Sequence, residues 1–428
     1  MSSQELLKIF LSAPAGVTTD TRLCKEGMMF FGLKGENFDG NKYAAEALTS
    51  GCIAAIVDEP NLKGIEGMIV VEDVLSSLQS LAREYRGTLD IPVVGLTGSN
   101  GKTTTKELIT AVLSRKYMVH ATKGNLNNHI GVPLTILSAP SNTEILVVEM
   151  GANHCGEIAT LCSIAEPTCG LITNIGRAHL EGFGGIEGVK KGKGELFDFL
   201  RTSDGSLAFV NANHEVLIEI SKGLETKLYG NTEHEPWAKF VEGDERKFVW
   251  AEGGDSSDPL PVQLEGDYNL DNITTAIALG LHFGVDRDAI GSAISDYAPT
   301  NNRSQTIKTE RNTILLDAYN ANPSSMTGAL ESFAKNIEGP KLVVLGDMRE
   351  LGMYSHEAHK EIVGLCERLG LEGIFVGEEF YAAAERDSRF YQSTKDLIQD
   401  WESESFKGKT VLLKGSRGMR MEQLLPLL

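Results

Sequence analysis

The stretch Gly95-Leu-Thr-Gly-Ser-Asn-Gly-Lys-Thr-Thr104 constrains this chain more than any other. It begins inside the apolar run VVGLTG (93–98), which has the length of a buried strand, and ends where a helix from about Lys102 is predicted. A strand, a glycine-rich turn and a helix start bring free backbone N–H groups and the positive end of a helix dipole to one point, and that arrangement holds phosphate. Gly98, Asn100 and Gly101 form the turn. Lys102 is placed to reach the β- and γ-phosphates, Thr103 to ligate Mg²⁺, and Thr104 follows them into the helix. The strict GxxxxGKS/T spacing would put its first glycine at Leu96, so the loop is of a variant class. A chance glycine-rich turn is the bland alternative, which the flanking strand and helix disfavour.

A phosphate loop of this kind belongs in a parallel sheet covered by helices on both faces. ILVVEM (145–150), CGLITNI (169–175) and SLAFVNAN (206–213) supply further apolar strands with helical stretches between them. Residues 225–265 are polar, alternate around FVW (248–250), and are read as an antiparallel extension, with EGGDSSD (252–258) a surface loop; YNLDNITTAIALGLHFG (268–284) is read as a helix. Upstream, MMFFGL (28–33), CIAAIV (52–57) and MIVVED (68–73) are strands, and NKYAAEALTSG (41–51) is a helix ended by Gly51. That region is a small α/β module, joined on through a linker at 88–92. Downstream of Pro299, TILLDAY (313–319), KLVVLGD (341–347), GIFVG (373–377) and TVLLKG (410–415) are four strands with helices between them, a doubly wound unit. The fold expected is α/β in three domains: residues 1–88, a central phosphate-loop domain over 89–299, and a C-terminal domain over 300–428.

A chain of 428 residues is long enough to bury several cores without disulfides or a structural metal. The formal net charge of −19 argues against nonspecific nucleic-acid or anionic-membrane binding, although a local basic pocket for phosphate is compatible with it. No apolar run approaches the roughly 18–20 residues of a membrane span. The N-terminal MSSQELLKIFLSAPAG carries Glu5 and Lys8 within its apolar stretch and reads as an amphipathic helix rather than a signal peptide. The six cysteines form no CxxC pair, and reduced, mostly buried thiols in a cytoplasmic protein are expected.

Three further features gather around the loop. Glu149 ends the strand 145–150, where ligands bind in open α/β sheets. A carboxylate there can hold Mg²⁺, directly or through water, or can simply make a cap. His179, in Asn174-Ile-Gly-Arg-Ala-His-Leu-Glu-Gly-Phe183, is a metal ligand, a phosphate contact or a structural histidine. Lys190, Lys191 and Lys193 are either a solvated basic helix start or a cluster that neutralises phosphate charge.

TGSNGKTT, EMGAN, NIGRAHLEGF, KGKGELF, GDYNLDNITTA and DAYNANPSSM stand in the order found in the Mur ligases, the ATP-dependent amide-bond ligases of peptidoglycan synthesis, and the chain resembles that family over essentially its whole length. The resemblance implies a first domain for the UDP-sugar of the substrate, a second for ATP, and a third that closes over both. It implies that Lys102 and Thr103 bind phosphates and Mg²⁺, that Glu149 holds a first Mg²⁺, and that His179 helps hold a second. Lys193 matches the lysine carbamylated in the family, which would turn a cation into an anion able to bridge the second Mg²⁺. Asn272 matches an adenine contact, and Arg303 and Asp317 match residues that reach ATP on closure. Thr21, Arg22, Lys34, Gly35, Asp39 and Gly40 lie where the uridine nucleotide is held; Asn127 and Asn128 match a stretch facing the peptide. The chain departs from the usual wording at Leu316-Asp317-Ala318, at Thr21-Arg22 and at Asp39-Gly-Asn-Lys-Tyr43. The implied substrates are UDP-N-acetylmuramoyl-tripeptide and D-alanyl-D-alanine, joined through an acyl phosphate in a cytoplasmic monomer.

Overall fold

The computed structural model describes residues 1–13, 15–243, 246–299, 303–383, 389–401 and 406–428. The boundary expected between 299 and 300 falls at the edge of residues outside that set.

The central sheet has six parallel strands in the order Thr226–Tyr229, Leu207–Asn211, Cys169–Ile172, Val93–Thr97, Ile145–Glu149, Val119–Ala121. Its inner strands are buried end to end and almost wholly apolar because helices cover both faces. Val93–Thr97 lies between Ile145–Glu149 and Cys169–Ile172, with Leu96 beside Glu149 and Thr97 beside Ile172. That register sends the phosphate loop, Glu149 and the 173–179 loop off one carboxyl edge, at the point where the chain crosses from one side of its first strand to the other. Helix Asn269–His282 packs along helix Lys102–Leu113 and walls the phosphate loop from one face.

The antiparallel extension is present as Trp237–Val241, Lys247–Glu252, Asp255–Ser256 and Leu260–Pro261. Two parts of that expectation change. Thr226–Tyr229 joins the central sheet as a parallel edge, and EGGDSSD is a hairpin, with Gly253 and Gly254 at φ 63° and 82° supplying the turn between Glu252 and Asp255.

Upstream, Val17–Thr18, Met29–Phe31, Ala54–Val57 and Met68–Val70 form a four-stranded parallel sheet. Helix Val74–Gly87 starts at Asp73, whose carboxylate accepts the Ser76 N–H at 2.7 Å. Its inner face packs on the central helices Gly131–Leu137 and Glu157–Ala165. Tyr85 donates to the Ala139 carbonyl at 3.2 Å and Arg86 Nε to that of Ala165 at 2.9 Å, so this sheet is anchored to the central one by buried polar contacts as well as a shared apolar core.

Downstream, the sheet runs Gln305–Lys308, Thr313–Asp317, Thr410–Lys414, Lys341–Gly346, Gly373–Val376, Phe390–Tyr391. The four expected strands are its middle. The antiparallel edge Gln305–Lys308 alternates exposed and half-buried residues, and Phe390–Tyr391 is two residues long, so neither makes an apolar run. All six cysteines are free thiols, four of them buried. No helix among the described residues is long and apolar enough to cross a membrane.

Candidate active site

A cavity of about 840 Å³ opens between the carboxyl edge of the central sheet and the downstream sheet. Its floor is the phosphate loop. Gly98 adopts φ 147°, and a Cβ there would stand 2.0 Å from Thr173 Oγ1, so only glycine lets the loop lie against the next strand. Gly101 turns at φ 78° into the helix, where a side chain would meet Asn272 Oδ1 at 2.6 Å. Ser99 N–H donates to the Asn174 carbonyl, Asn100 N–H to Asn174 Oδ1, and Thr173 Oγ1 to the Asn100 carbonyl at 2.6 Å. The first helical N–H groups after Gly101 have no carbonyl a turn earlier to bond, and their residues Lys102, Thr103 and Thr104 line the cavity.

Lys102 Nζ folds back over the loop and donates to the Gly98 carbonyl at 2.7 Å. Burial pulls its pKa down, against the opposing pull of Glu149 and Glu350. Glu149 is 1% exposed; its Oε1 accepts from Thr103 Oγ1 at 3.2 Å and from Asn127 Nδ2 at 2.7 Å, while Oε2 is buried with no partner. A buried carboxylate oxygen left unpaired beside a threonine hydroxyl costs free energy unless a cation or donor meets it. These residues therefore fit a divalent cation. No cluster of three or more His, Cys, Asp or Glu side chains suited to a metal exists among the described residues; Mg²⁺ characteristically takes one or two carboxylates and completes its shell with phosphate and water.

His179 lines the same cavity, with Nδ1 2.6 Å from Glu350 Oε2. Lys193 is fully buried; Nζ donates to the Ala152 carbonyl at 2.9 Å and sits 5.0 Å from the Phe183 ring centroid. Burial first, then the charge of Lys102, push its pKa well below the ordinary lysine range. The three lysines therefore part company: Lys190 pairs with Glu219 at 2.8 Å, Lys191 is exposed, and Lys193 alone is buried, behind the cavity wall at Ala152 rather than in its lining. A basic cluster neutralising phosphate is not what this helix makes.

Asn272 lines the cavity, accepts from Thr105 Oγ1 at 2.9 Å and donates to Asn269 Oδ1 at 2.8 Å. Thr104, Asn127 and Asn128 line it too. The Asn128 carboxamide is partly spent on turning the chain, since its Oδ1 accepts the N–H groups of Ile130 and Gly131. From the downstream sheet come Asp317, paired with Lys414, and Arg303, whose guanidinium stacks 3.6 Å from the centroid of Tyr319. The two halves touch: Asn322 Nδ2 donates to Asn100 Oδ1 at 2.7 Å, and Arg177 N–H to Ser324 Oγ at 2.8 Å. Sequence reasoning had not singled out Asn174, Asn322, Lys414 or Glu350. Asn174 and Asn322 stand inside quoted motifs, Lys414 lies in the strand TVLLKG, and Glu350 stands in VLGDMRELG (344–352), a stretch the family resemblance also covers but that only the fold brings to His179.

Thr21, Arg22, Lys34, Gly35, Asp39 and Gly40 lie apart from this cavity. Arg22 is bound by its neighbour Asp20, Lys34 reaches Asp58 at 2.9 Å, and Asp39 caps the turn at Asn41. Gly40 packs on Gly32, where a Cβ would come within 2.6 Å of backbone. Beside them the rings of Phe38 and Tyr43 stack at 5.5 Å, 52% and 39% exposed.

A glycine-rich loop at the carboxyl edge of a parallel sheet, with Arg303 and Asp317 of a second α/β unit lining the same cavity, is the arrangement of a nucleotide-using enzyme. Comparison with known proteins agrees. The Mur ligase family catalytic domain pattern matches residues 14–94, the Mur ligase middle domain 96–280, and the Mur ligase glutamate ligase domain 302–417. The UDP-N-acetylmuramoyl-tripeptide–D-alanyl-D-alanine ligase of Bacillus subtilis (strain 168) is 38% identical over 425 residues, covering 96% of this chain and 92% of that protein. Among solved structures, MurF from Acinetobacter baumannii superposes with a TM-score of 0.88 at 30% identity over 99% of this chain and 98% of that one. The MurF ligase of Thermotoga maritima, solved in complex with ADP, gives 0.83 at 29% over 98% and 97%. The chain belongs to the Mur ligase family and is an ATP-dependent amide-bond ligase.

Proposed function

We propose that the protein joins D-alanyl-D-alanine to UDP-N-acetylmuramoyl-tripeptide, with ATP converted to ADP and phosphate, completing the pentapeptide of the peptidoglycan precursor. The observation that carries this reading is one cavity that gathers the phosphate loop, Glu149, His179 and the downstream Arg303 and Asp317. The names of the full-length relatives supply the substrate pair.

In this reading residues 1–88 take the UDP-sugar through Thr21, Arg22, Lys34, Gly35, Asp39 and Gly40. Residues 89–299 take ATP, and 300–428 close over it. Gly98, Asn100, Gly101, Lys102, Thr103 and Thr104 hold the triphosphate, Asn272 the adenine side, and Arg303 and Asp317 the nucleotide from above. Thr103, Glu149 and His179 would hold Mg²⁺, which supplies charge neutralisation between two anions when bound. Lys193 is the residue to be carbamylated: burial disfavours its ammonium form and so favours the free amine whose lone pair addition to CO₂ requires.

A carboxylate oxygen of the tripeptide displaces ADP from the γ-phosphorus. The amine of D-Ala-D-Ala then adds to the acyl carbon, and phosphate leaves with its C–O bond as the amine loses a proton. Lys102 and the helix N-terminus offset the repulsion of the first encounter. Asn127 and Asn128 face the peptide. The Asn322–Asn100 and Ser324–Arg177 contacts hold the halves together, keeping water from the acyl phosphate. The chain acts as a cytoplasmic monomer. Phosphate release from ATP and Mg²⁺ tests the reading. Release that needs both the UDP-tripeptide and D-Ala-D-Ala supports it; release with neither present, or with folate and glutamate instead, overturns the substrate assignment.

A further inference from the structure

His179 stands at φ 53° as the residue before the short helix Leu180–Phe183, and Glu350 at φ 64° in the loop after strand Lys341–Gly346. Left-handed backbone at a residue other than glycine is strained and persists where surrounding contacts impose it. Here two such residues, from different sheets, face each other with Nδ1 and Oε2 2.6 Å apart; Nδ1 is buried and makes no well-angled hydrogen bond, so Oε2 is the acceptor within its reach.

The loop that carries Glu350 is tied by backbone hydrogen bonds at each residue from Asp347 to Glu350. Asp347 N–H donates to the Val376 carbonyl at 3.0 Å, and the Asp347 carbonyl accepts from Ser416 N–H at 3.1 Å. The Asp347 carboxylate accepts the N–H groups of Glu379 and Phe380. Met348 N–H donates to Nε2 of His359, a fully buried ring whose Nδ1 lies 2.7 Å from the Ser355 carbonyl, which fixes a neutral tautomer with its proton on Nδ1. Arg349 N–H donates to Ser416 Oγ at 2.9 Å. The last tie crosses to the central half: the Glu350 carbonyl accepts the Glu181 N–H at 3.2 Å, and Gly352, at φ 53°, lets the loop press on the Glu181 side chain, where a Cβ would sit within 3.0 Å. Glu350 itself is half-exposed and fills no core position. A loop this firmly held around an exposed carboxylate fixes where that carboxylate points.

From this geometry we propose that Glu350 is a positioning residue: it reaches across from the C-terminal half, holds the His179 ring through Nδ1, and so leaves Nε2 as the ring nitrogen offered to the cavity once the halves close. This rests on the reading of His179 as a cation ligand given above. Carboxylates that fix the far nitrogen of a ligating histidine typically matter by 10–100-fold in metal affinity.

The test is Mn²⁺ binding to the full-length, ADP-saturated protein, read by electron paramagnetic resonance, in wild type, Glu350→Ala, Glu350→Gln, His179→Ala and the double variant. Glu350→Ala is expected to weaken Mn²⁺ by about 10–100-fold. Glu350→Gln, which keeps an oxygen acceptor, should lose less, and Glu350→Ala should add nothing once His179 is alanine. Steady-state ligation by Glu350→Ala should show a lower kcat with an unchanged KM for the UDP substrate. Unchanged Mn²⁺ binding in Glu350→Ala, or an equal loss in the His179→Ala background, would overturn the proposal. Failure of wild type to ligate would instead strike the proposed function, and the Mn²⁺ comparison would still report whether the two residues are coupled.

Discussion

The central cavity and the loop surface of residues 18–43 both carry residues that the sequence marks for nucleotide binding, and the structure treats them oppositely. Around the cavity, the marked residues come from three strand ends and a second sheet and converge, with Glu149 and Lys193 buried and a carboxylate oxygen left unpaired. On the loop surface, Arg22 and Lys34 lie exposed and satisfied by the neighbouring Asp20 and Asp58, beside an open aromatic stack. The first is a preorganised site whose free energy is committed before a ligand arrives. The second is a surface whose ion pairs must exchange for contacts with a ligand, and exposed pairs of that kind are worth only about 0–1 kcal/mol. Substitutions in the cavity should therefore strike catalysis, and substitutions on the loop surface should strike affinity.

The largest effect is expected at the cavity floor. Lys102→Ala should lower kcat by about 10²–10³-fold, the scale for removing one preorganised donor to a developing anion; a change confined to KM for ATP would move Lys102 out of the chemistry. Next comes Lys193. Lys193→Ala should lose most activity and regain part of it with short carboxylates, and ¹³C-bicarbonate should give a carbamate signal in wild type that Lys193→Met lacks. The same residue has a signature in stability. Because burial sets its folded pKa well below 10.5, the unfolded chain binds a proton that the folded chain does not between those two values. In bicarbonate-free buffer the Lys193 contribution to stability should rise with pH through that window, and Lys193→Met should remove the rise. Thermal unfolding against pH checks the sign.

Smaller effects separate the regions further. Asn322→Ala removes a 2.7 Å contact between the halves and should cost several-fold in kcat/KM, with little change in Tm. Lys34→Ala should raise KM for the UDP substrate by about tenfold or less and leave kcat alone, since Lys34 itself is exposed and its partner Asp58 keeps the Asn41 side chain as a donor. A kcat effect there equal to that of Lys102→Ala would erase the distinction between the two regions.

The same contrast explains what was legible in the sequence. The phosphate loop, Glu149 and His179 could be placed because each directly follows an apolar strand, and parallel register carries strand ends to one edge. Strands such as Ile145–Glu149 announce themselves because burial on both faces demands unbroken apolar runs. Edges do not: Gln305–Lys308 has one face in solvent, and Thr226–Tyr229 reads as part of the polar stretch that follows it. Nor could spacing show which of three clustered lysines turns inward, because that depends on the rotation of helix Ile186–Arg201 against its sheet. Glu350 stands in VLGDMRELG (344–352), a stretch the resemblance covers, but its place beside His179 could not be read there. It lies more than 170 residues from His179 in a loop whose hydrogen bonds, rather than its composition, aim it.

The most direct test of the chemistry is isotope transfer. UDP-tripeptide labelled with ¹⁸O in its terminal carboxylate, turned over with ATP, Mg²⁺ and D-Ala-D-Ala, should place one labelled oxygen in each phosphate released, because the carboxylate oxygen that attacks the γ-phosphorus leaves with it. Unlabelled phosphate would contradict an acyl phosphate intermediate, and with it the account of why the phosphate loop, Glu149 and the C-terminal half meet in one cavity.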